Sequence, residues 1–80
     1  MTELKTELKI RINEFDKIKE FIQDALSFKS DIDLIKGSYI VDAKSIMGVF
    51  SLDLSTPVTI KIHSCDEVDR LNEVMKKYTN

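Results

Sequence analysis

The stretch Leu4-Lys5-Thr6-Glu7-Leu8-Lys9-Ile10-Arg11-Ile12, followed by Asn13-Glu14-Phe15-Asp16-Lys17-Ile18-Lys19-Glu20-Phe21-Ile22-Gln23-Asp24-Ala25-Leu26, decides the fold class because its apolar period changes in the middle. Up to Ile12 the apolar positions alternate, with Leu4, Thr6, Leu8, Ile10 and Ile12 on one side and Glu3, Lys5, Glu7, Lys9 and Arg11 on the other. Period two with one charged side predicts a strand that covers a core on one face only. From Asn13, a good helix cap, the spacing becomes three and four: Phe15, Ile18, Phe21, Ile22, Ala25 and Leu26 form the stripe of an amphipathic helix.

Outward from there, β-branched runs, turn residues, caps and spacing assign the rest. Ile32 to Ile35 and Tyr39 to Val41 flank Lys36-Gly37-Ser38 and predict a hairpin, with Gly37 supplying the positive φ of its turn. Ser45 can cap a short helix whose Ile46, Val49, Phe50 and Leu52 partly face inward. After Thr56-Pro57, the residues Val58, Ile60 and Ile62 alternate with Thr59, Lys61 and His63 as a last strand. Ser64-Cys65-Asp66-Glu67 has capping-box spacing, and Val68, Leu71, Val74, Met75 and Tyr78 stripe a closing helix. The order βαββαβα predicts one α/β (α+β) domain over residues 1–80: a two-layer open-faced sandwich with three helices on one face of a four-stranded antiparallel sheet.

Composition narrows the function. With 80 residues the chain has length for one core. Twelve basic against fourteen acidic residues provide no positive field for a nucleic acid or an anionic membrane, so neither is expected as a partner. Apolar runs far shorter than the roughly 20 residues of a membrane span, a start Met1-Thr2-Glu3 unlike a signal peptide, and the lone Cys65 lead to an expected cytoplasmic location. No zinc-type spacing or phosphate-binding glycine loop occurs, so no metal and no cofactor are expected. Asp31 and Asp33 share one side of a strand, but two carboxylates are commonly a solvated edge. His63 falls on the polar side of its strand and Cys65 has no partner thiol, so a solvated imidazole and an inert thiol are the simplest readings.

One segment carries more. Val41-Asp42-Ala43-Lys44-Ser45-Ile46-Met47-Gly48-Val49-Phe50-Ser51-Leu52 resembles the central segment of HPr, the phosphocarrier of the bacterial sugar phosphotransferase system, and the βαββαβα layout is also that family's. A phosphocarrying HPr has its histidine just before the first helix, in a Gly-Ile-His-Ala-Arg-Pro-Ala type motif. Here Ile12-Asn13-Glu14-Phe15-Asp16-Lys17-Ile18 stands there, with Glu14 about where the histidine falls. Glu14 and Asp16 would repel a phosphoryl group rather than carry it. In Gram-positive HPr and its histidine-lacking catabolite-repression homologue, the serine matching Ser45 is phosphorylated by a dedicated kinase and its apolar neighbours dock on partner proteins.

The resemblance thus implies Ser45 as a regulatory phosphosite and Lys44, Ile46, Met47 and Phe50 as a partner-binding patch. The expected function is a non-enzymatic regulatory or protein-binding module. Its partners would be proteins such as a serine kinase and a transcriptional regulator or phosphotransferase component. The alternatives are a carrier using an unconventional residue and a diverged interaction domain without phosphorylation. Ser45 as a plain helix cap, and Met47 and Phe50 as core residues, are the competing structural readings.

Overall fold

The computed structural model describes residues 6–79. Strand β1 (Glu7–Ile10) is followed by helix α1 (Phe15–Leu26), the hairpin β2 (Ile32–Lys36) and β3 (Tyr39–Asp42), helix α2 (Ile46–Phe50), strand β4 (Val58–Ile62) and helix α3 (Val68–Val74), which tightens into a 3₁₀ turn at Met75–Tyr78. The strands form one sheet in the order β1-β4-β2-β3, antiparallel at every step. Glu3, Leu4 and Lys5 of the first alternating stretch lie outside the described residues.

Alternation places Ile10, Ile32, Leu34, Val58, Ile60 and Ile62 on the face under the helices, all buried. The helices answer with Ile18, Phe21, Ile22 and Ala25 of α1, Val49 of α2, and Val68 and Leu71 of α3, while Met75 and Tyr78 close the end. Every buried residue among those described is apolar or, like Tyr78, mainly so. The opposite face is wet: Lys61 of β4 lies in register between Glu7 of β1 and Asp33 of β2. Opposite charges in adjacent strands suit that solvated side, each pair contributing up to about 1 kcal/mol.

Two glycines are required by geometry. Gly37 has φ of +61° at the first of the two residues, Gly37 and Ser38, that link β2 to β3. Positive φ there alone is the pattern of a type II′ turn, which matches strand twist. Gly48 lets α2 lie close on β3, since a Cβ built there meets Val41 Cβ at 3.3 Å and Ser45 Cβ at 3.4 Å.

Helix starts depart from the sequence expectation. The cap of α1 is Glu14 rather than Asn13, and its carboxylate makes no capping hydrogen bond. The cap of α3 is Glu67, and Ser64 Oγ accepts from Asp66 N–H (3.1 Å) instead of closing a capping box. Glu67 Oε1 accepts from Lys29 N–H (2.9 Å), Ser30 N–H (2.7 Å) and the Ser30 hydroxyl (2.6 Å). Three donors on a distant loop outweigh one local N–H, so the carboxylate turns away from its own helix.

Candidate docking face and phosphoacceptor serine

Ser45 enters α2 in extended conformation and its Oγ accepts the Gly48 N–H at 3.2 Å, satisfying one of the helix's unpaired donors. Its own N–H donates to Asp42 O (3.0 Å), and Asp42 Oδ1 accepts the Lys44 N–H (2.8 Å). The loop into the helix is therefore pinned by local hydrogen bonds, with the Ser45 side chain only half-buried.

Two contacts set how α2 lies against α1. At one end Lys44 Nζ donates to Phe28 O at 2.7 Å, just past the exit of α1. At the other, the ring of Phe50 meets that of Phe15, on the first turn of α1, with centroids 5.9 Å apart. The start of α2 is thus near the end of α1 and the reverse, so the two helices run antiparallel along a shared seam. Of the seven large apolar side chains exposed among the described residues, five belong to these two helices: Phe15 (63%), Leu26 (57%), Ile46 (59%), Met47 (83%) and Phe50 (43%). Scattered single apolar residues need no explanation, whereas a cluster marks an interaction surface. The other two, Tyr39 and Ile40, are on the hairpin.

The sequence expectation for α2 is met at Val49 and Leu52, which are buried, while Ile46 and Phe50 point mostly to solvent. Met47 and Phe50 are therefore not core. Two members of this face, Phe15 and Leu26, sit in the stripe expected to be buried. At about 100° per residue, Ile18, Phe21, Ile22 and Ala25 span an arc of about 100°. Phe15 lies about 70° and Leu26 about 90° from that arc's centre, both on the same side. The angular offset is the signal that the plain three-and-four spacing hides.

Glu14 is exposed on extended backbone (φ −110°, ψ 142°), and its carbonyl accepts the Ile18 N–H at 2.9 Å. The single histidine, His63, stands just past β4, with Nε2 2.6 Å from Asp33 Oδ2. Ile10, at the end of β1 toward Glu14, pairs with Val58 at the other end of β4. The five-residue strand separates the two sites by about 17 Å at the rise of a strand. His63 and Glu14 therefore lie at opposite ends of the sheet.

Asp31, Asp33, Asp42 and His63 line one shallow concavity on the wet face, but among the described residues no three His, Cys, Asp or Glu converge to hold a metal ion. Cys65 is exposed and unpaired as a thiol. No helix among the described residues is long and apolar enough to cross a membrane.

Residues 16–77 match the family PTS-HPr, described as the PTS HPr component phosphorylation site, in a span that opens just past Glu14. Among solved structures the chain is similar to HPr-C-His from Thermoanaerobacter tengcongensis, with 29% identity, 91% of this chain and 93% of that one covered and a TM-score of 0.73. It is similar to the phosphocarrier protein HPr of Bacillus anthracis str. Ames, with 26% identity over 92% and 95% of the chains and a TM-score of 0.75. It is also similar to Crh, the catabolite repression containing protein of Bacillus subtilis, with 33% identity over 92% and 86% and a TM-score of 0.62. With the sheet order, the serine-capped short helix and the match over most of its length in agreement, this chain belongs to the HPr family.

Proposed function

We propose that this chain is a regulatory, protein-docking member of the HPr family, switched at Ser45 and without a phosphohistidine relay. The observation that carries the reading is the seam itself: five exposed apolar side chains on α1 and α2, with Ser45 at the entry of α2. Ile46, Met47 and Phe50 form the α2 half of the contact patch, and Phe15 and Leu26 extend it onto α1. Lys44, whose amine is held by Phe28 O, borders it. The partners are proteins: a serine kinase acting on the switch, and a transcriptional regulator or phosphotransferase component reading the face.

The switch chemistry suits the local geometry. The Ser45 Oγ attacks the γ-phosphorus of ATP, the bond to the β-phosphate oxygen breaks, ADP leaves and the hydroxyl proton passes to a base of the kinase. The Gly48 N–H that already donates to Oγ can donate to the phosphate, which adds about −1.5 to −2 charge beside an apolar surface. Charge set down there changes which partners can bury the seam, because an unpaired buried charge is costly.

A relay at Glu14 finds little support. The carboxylate is exposed, and Asp16 two residues on offsets the one cation of the first turn of α1, Lys17. Repulsion between a carboxylate and an arriving phosphoryl group opposes transfer. The test is twofold. Incubation with HPr kinase and ATP should place one phosphate on Ser45 by mass spectrometry and none on Ser45→Ala, and enzyme I with phosphoenolpyruvate should leave the protein unlabelled. Label from phosphoenolpyruvate, or none from the kinase, overturns the reading.

A further inference from the structure

The residues that follow α1 are held with unusual firmness. The guanidinium of Arg70 lies 4.3 Å from the centroid of the Phe28 ring and donates to Ser27 O (3.0 Å) and Ser27 Oγ (2.6 Å). Glu67 takes the N–H groups of Lys29 and Ser30 and the Ser30 hydroxyl. Phe28 is itself buried. Its carbonyl is therefore a fixed point, and what reaches it from α2 is the long flexible side chain of Lys44, at 2.7 Å. Lys44 spends a full positive charge on a neutral acceptor, while its backbone N–H is pinned by Asp42.

Resting on the assignment of Ser45 as phosphoacceptor, we propose that Lys44 is a two-position latch: on Phe28 O in the unmodified protein, and on the phosphate once Ser45 carries one. A phosphate on the next residue is an ionised acceptor, so it adds to the hydrogen bond an attraction between opposite charges that the neutral Phe28 carbonyl does not offer. Asp42, the carboxylate within the same loop, adds negative charge and so increases the phosphate's demand for a cation. The Lys44 stem gives the ammonium the reach to swing without moving the backbone, and water takes its place on Phe28 O. The tie between the exit of α1 and the entry of α2 is then lost. Leu26 lies two residues before Phe28, and Ile46 and Met47 lie two and three after Lys44, so the mark changes the spacing of the docking seam as well as its charge.

The test uses protein synthesised with phosphoserine at position 45, so that no kinase is needed, alongside unmodified protein and Lys44→Met with and without the phosphate. The readout is the Phe28 carbonyl ¹³C resonance. Phosphate should move it to the position found in unmodified Lys44→Met, and should move it no further in Lys44→Met. A Phe28 resonance that ignores the phosphate, or that shifts equally in both backgrounds, overturns the latch. Failure of a kinase to mark Ser45 would strike at the proposed function and leave the latch standing.

Discussion

The two flanks of α1 differ in how they meet their neighbours. Toward α3 the helix is sealed. Phe21 packs edge-on to Tyr78 with centroids 5.8 Å apart, the Tyr78 hydroxyl donates to Asp24 (2.6 Å), and Lys77 Nζ reaches Glu20 (2.7 Å) and Asp24 (2.9 Å). Burial, then the bond to Asp24, pushes the Tyr78 hydroxyl well above the usual phenol range, so it stays a neutral donor. Glu20, then Asp24, raises the Lys77 ammonium. Toward α2 the same helix leaves Phe15, whose ring meets that of Phe50, and Leu26 exposed, and Ile46, Met47 and Phe50 of α2 are exposed as well. A chain that closes one flank with rings and ion pairs has the means to close the other. The open seam leaves apolar side chains in solvent, and the proposed docking rests on that contrast.

Phe21→Ala offers the hardest test of that contrast. Removing a fully buried ring should cost about 3 to 5 kcal/mol in urea unfolding. Phe50→Ala gives up a half-exposed ring pair and should cost about 1 kcal/mol. Met47→Asp, at the most exposed position of the seam, should stay within about 0.5 kcal/mol while abolishing capture by a docking partner. Equal losses at Phe21 and Met47 would mean that the seam is core and the contrast false.

Smaller effects sharpen the picture at the edges of the seam. Ser45→Ala removes the side-chain acceptor of the Gly48 N–H and should cost about 1 kcal/mol, with Ser45→Asp restoring most of it. A full loss in Ser45→Asp would show that the hydroxyl does more than cap. Gly37→Ala, in the hairpin turn, places a Cβ at φ of +61° with open space around it. Strain alone should then cost about 1 kcal/mol, with partner binding unchanged.

Much of this was legible in the residues, and what was not has a physical reason. Alternation located β1 and β4, and three-and-four spacing located α1 and α3, because each period is dictated by backbone geometry within a few residues; β-branched runs around the Gly37 turn located the hairpin. Ser45 as the α2 cap followed from the same local chemistry, and the resemblance carried over Val41–Leu52 pointed to the family. Phe15 and Leu26 were misplaced in the core because spacing identifies a stripe without fixing which part of a wide apolar arc meets the sheet. Lys44 on Phe28 and Glu67 on Ser30 join residues 16 and 37 positions apart. No local pattern encodes such ties, which depend on how the elements stack.

Glu67 offers the finest test, since it belongs to the sealed side yet sits at the surface. Hydrogen bonds from the Ser30 hydroxyl, then from the Ser30 and Lys29 N–H groups, with the nearby Arg70 charge, hold its carboxyl below the usual carboxylate value. Each of these favours the ionised form. A carboxyl whose pKa is lower in the folded chain than in the unfolded one stabilises the fold above the unfolded value, about 4.3 for Glu. That contribution fades as pH falls through the folded value. Urea midpoints measured from pH 7 downward should therefore drop more steeply for the native sequence than for Glu67→Gln below about pH 4.3. The amide keeps one oxygen to accept from Ser30 but has no charge to lose, so its acid limb should be flatter by Glu67's share. Parallel limbs would mean that the loop after α1 is held by Arg70 and Phe28 alone. In that case the fixed position of Phe28 O, against which Lys44 is set, would owe nothing to the acid.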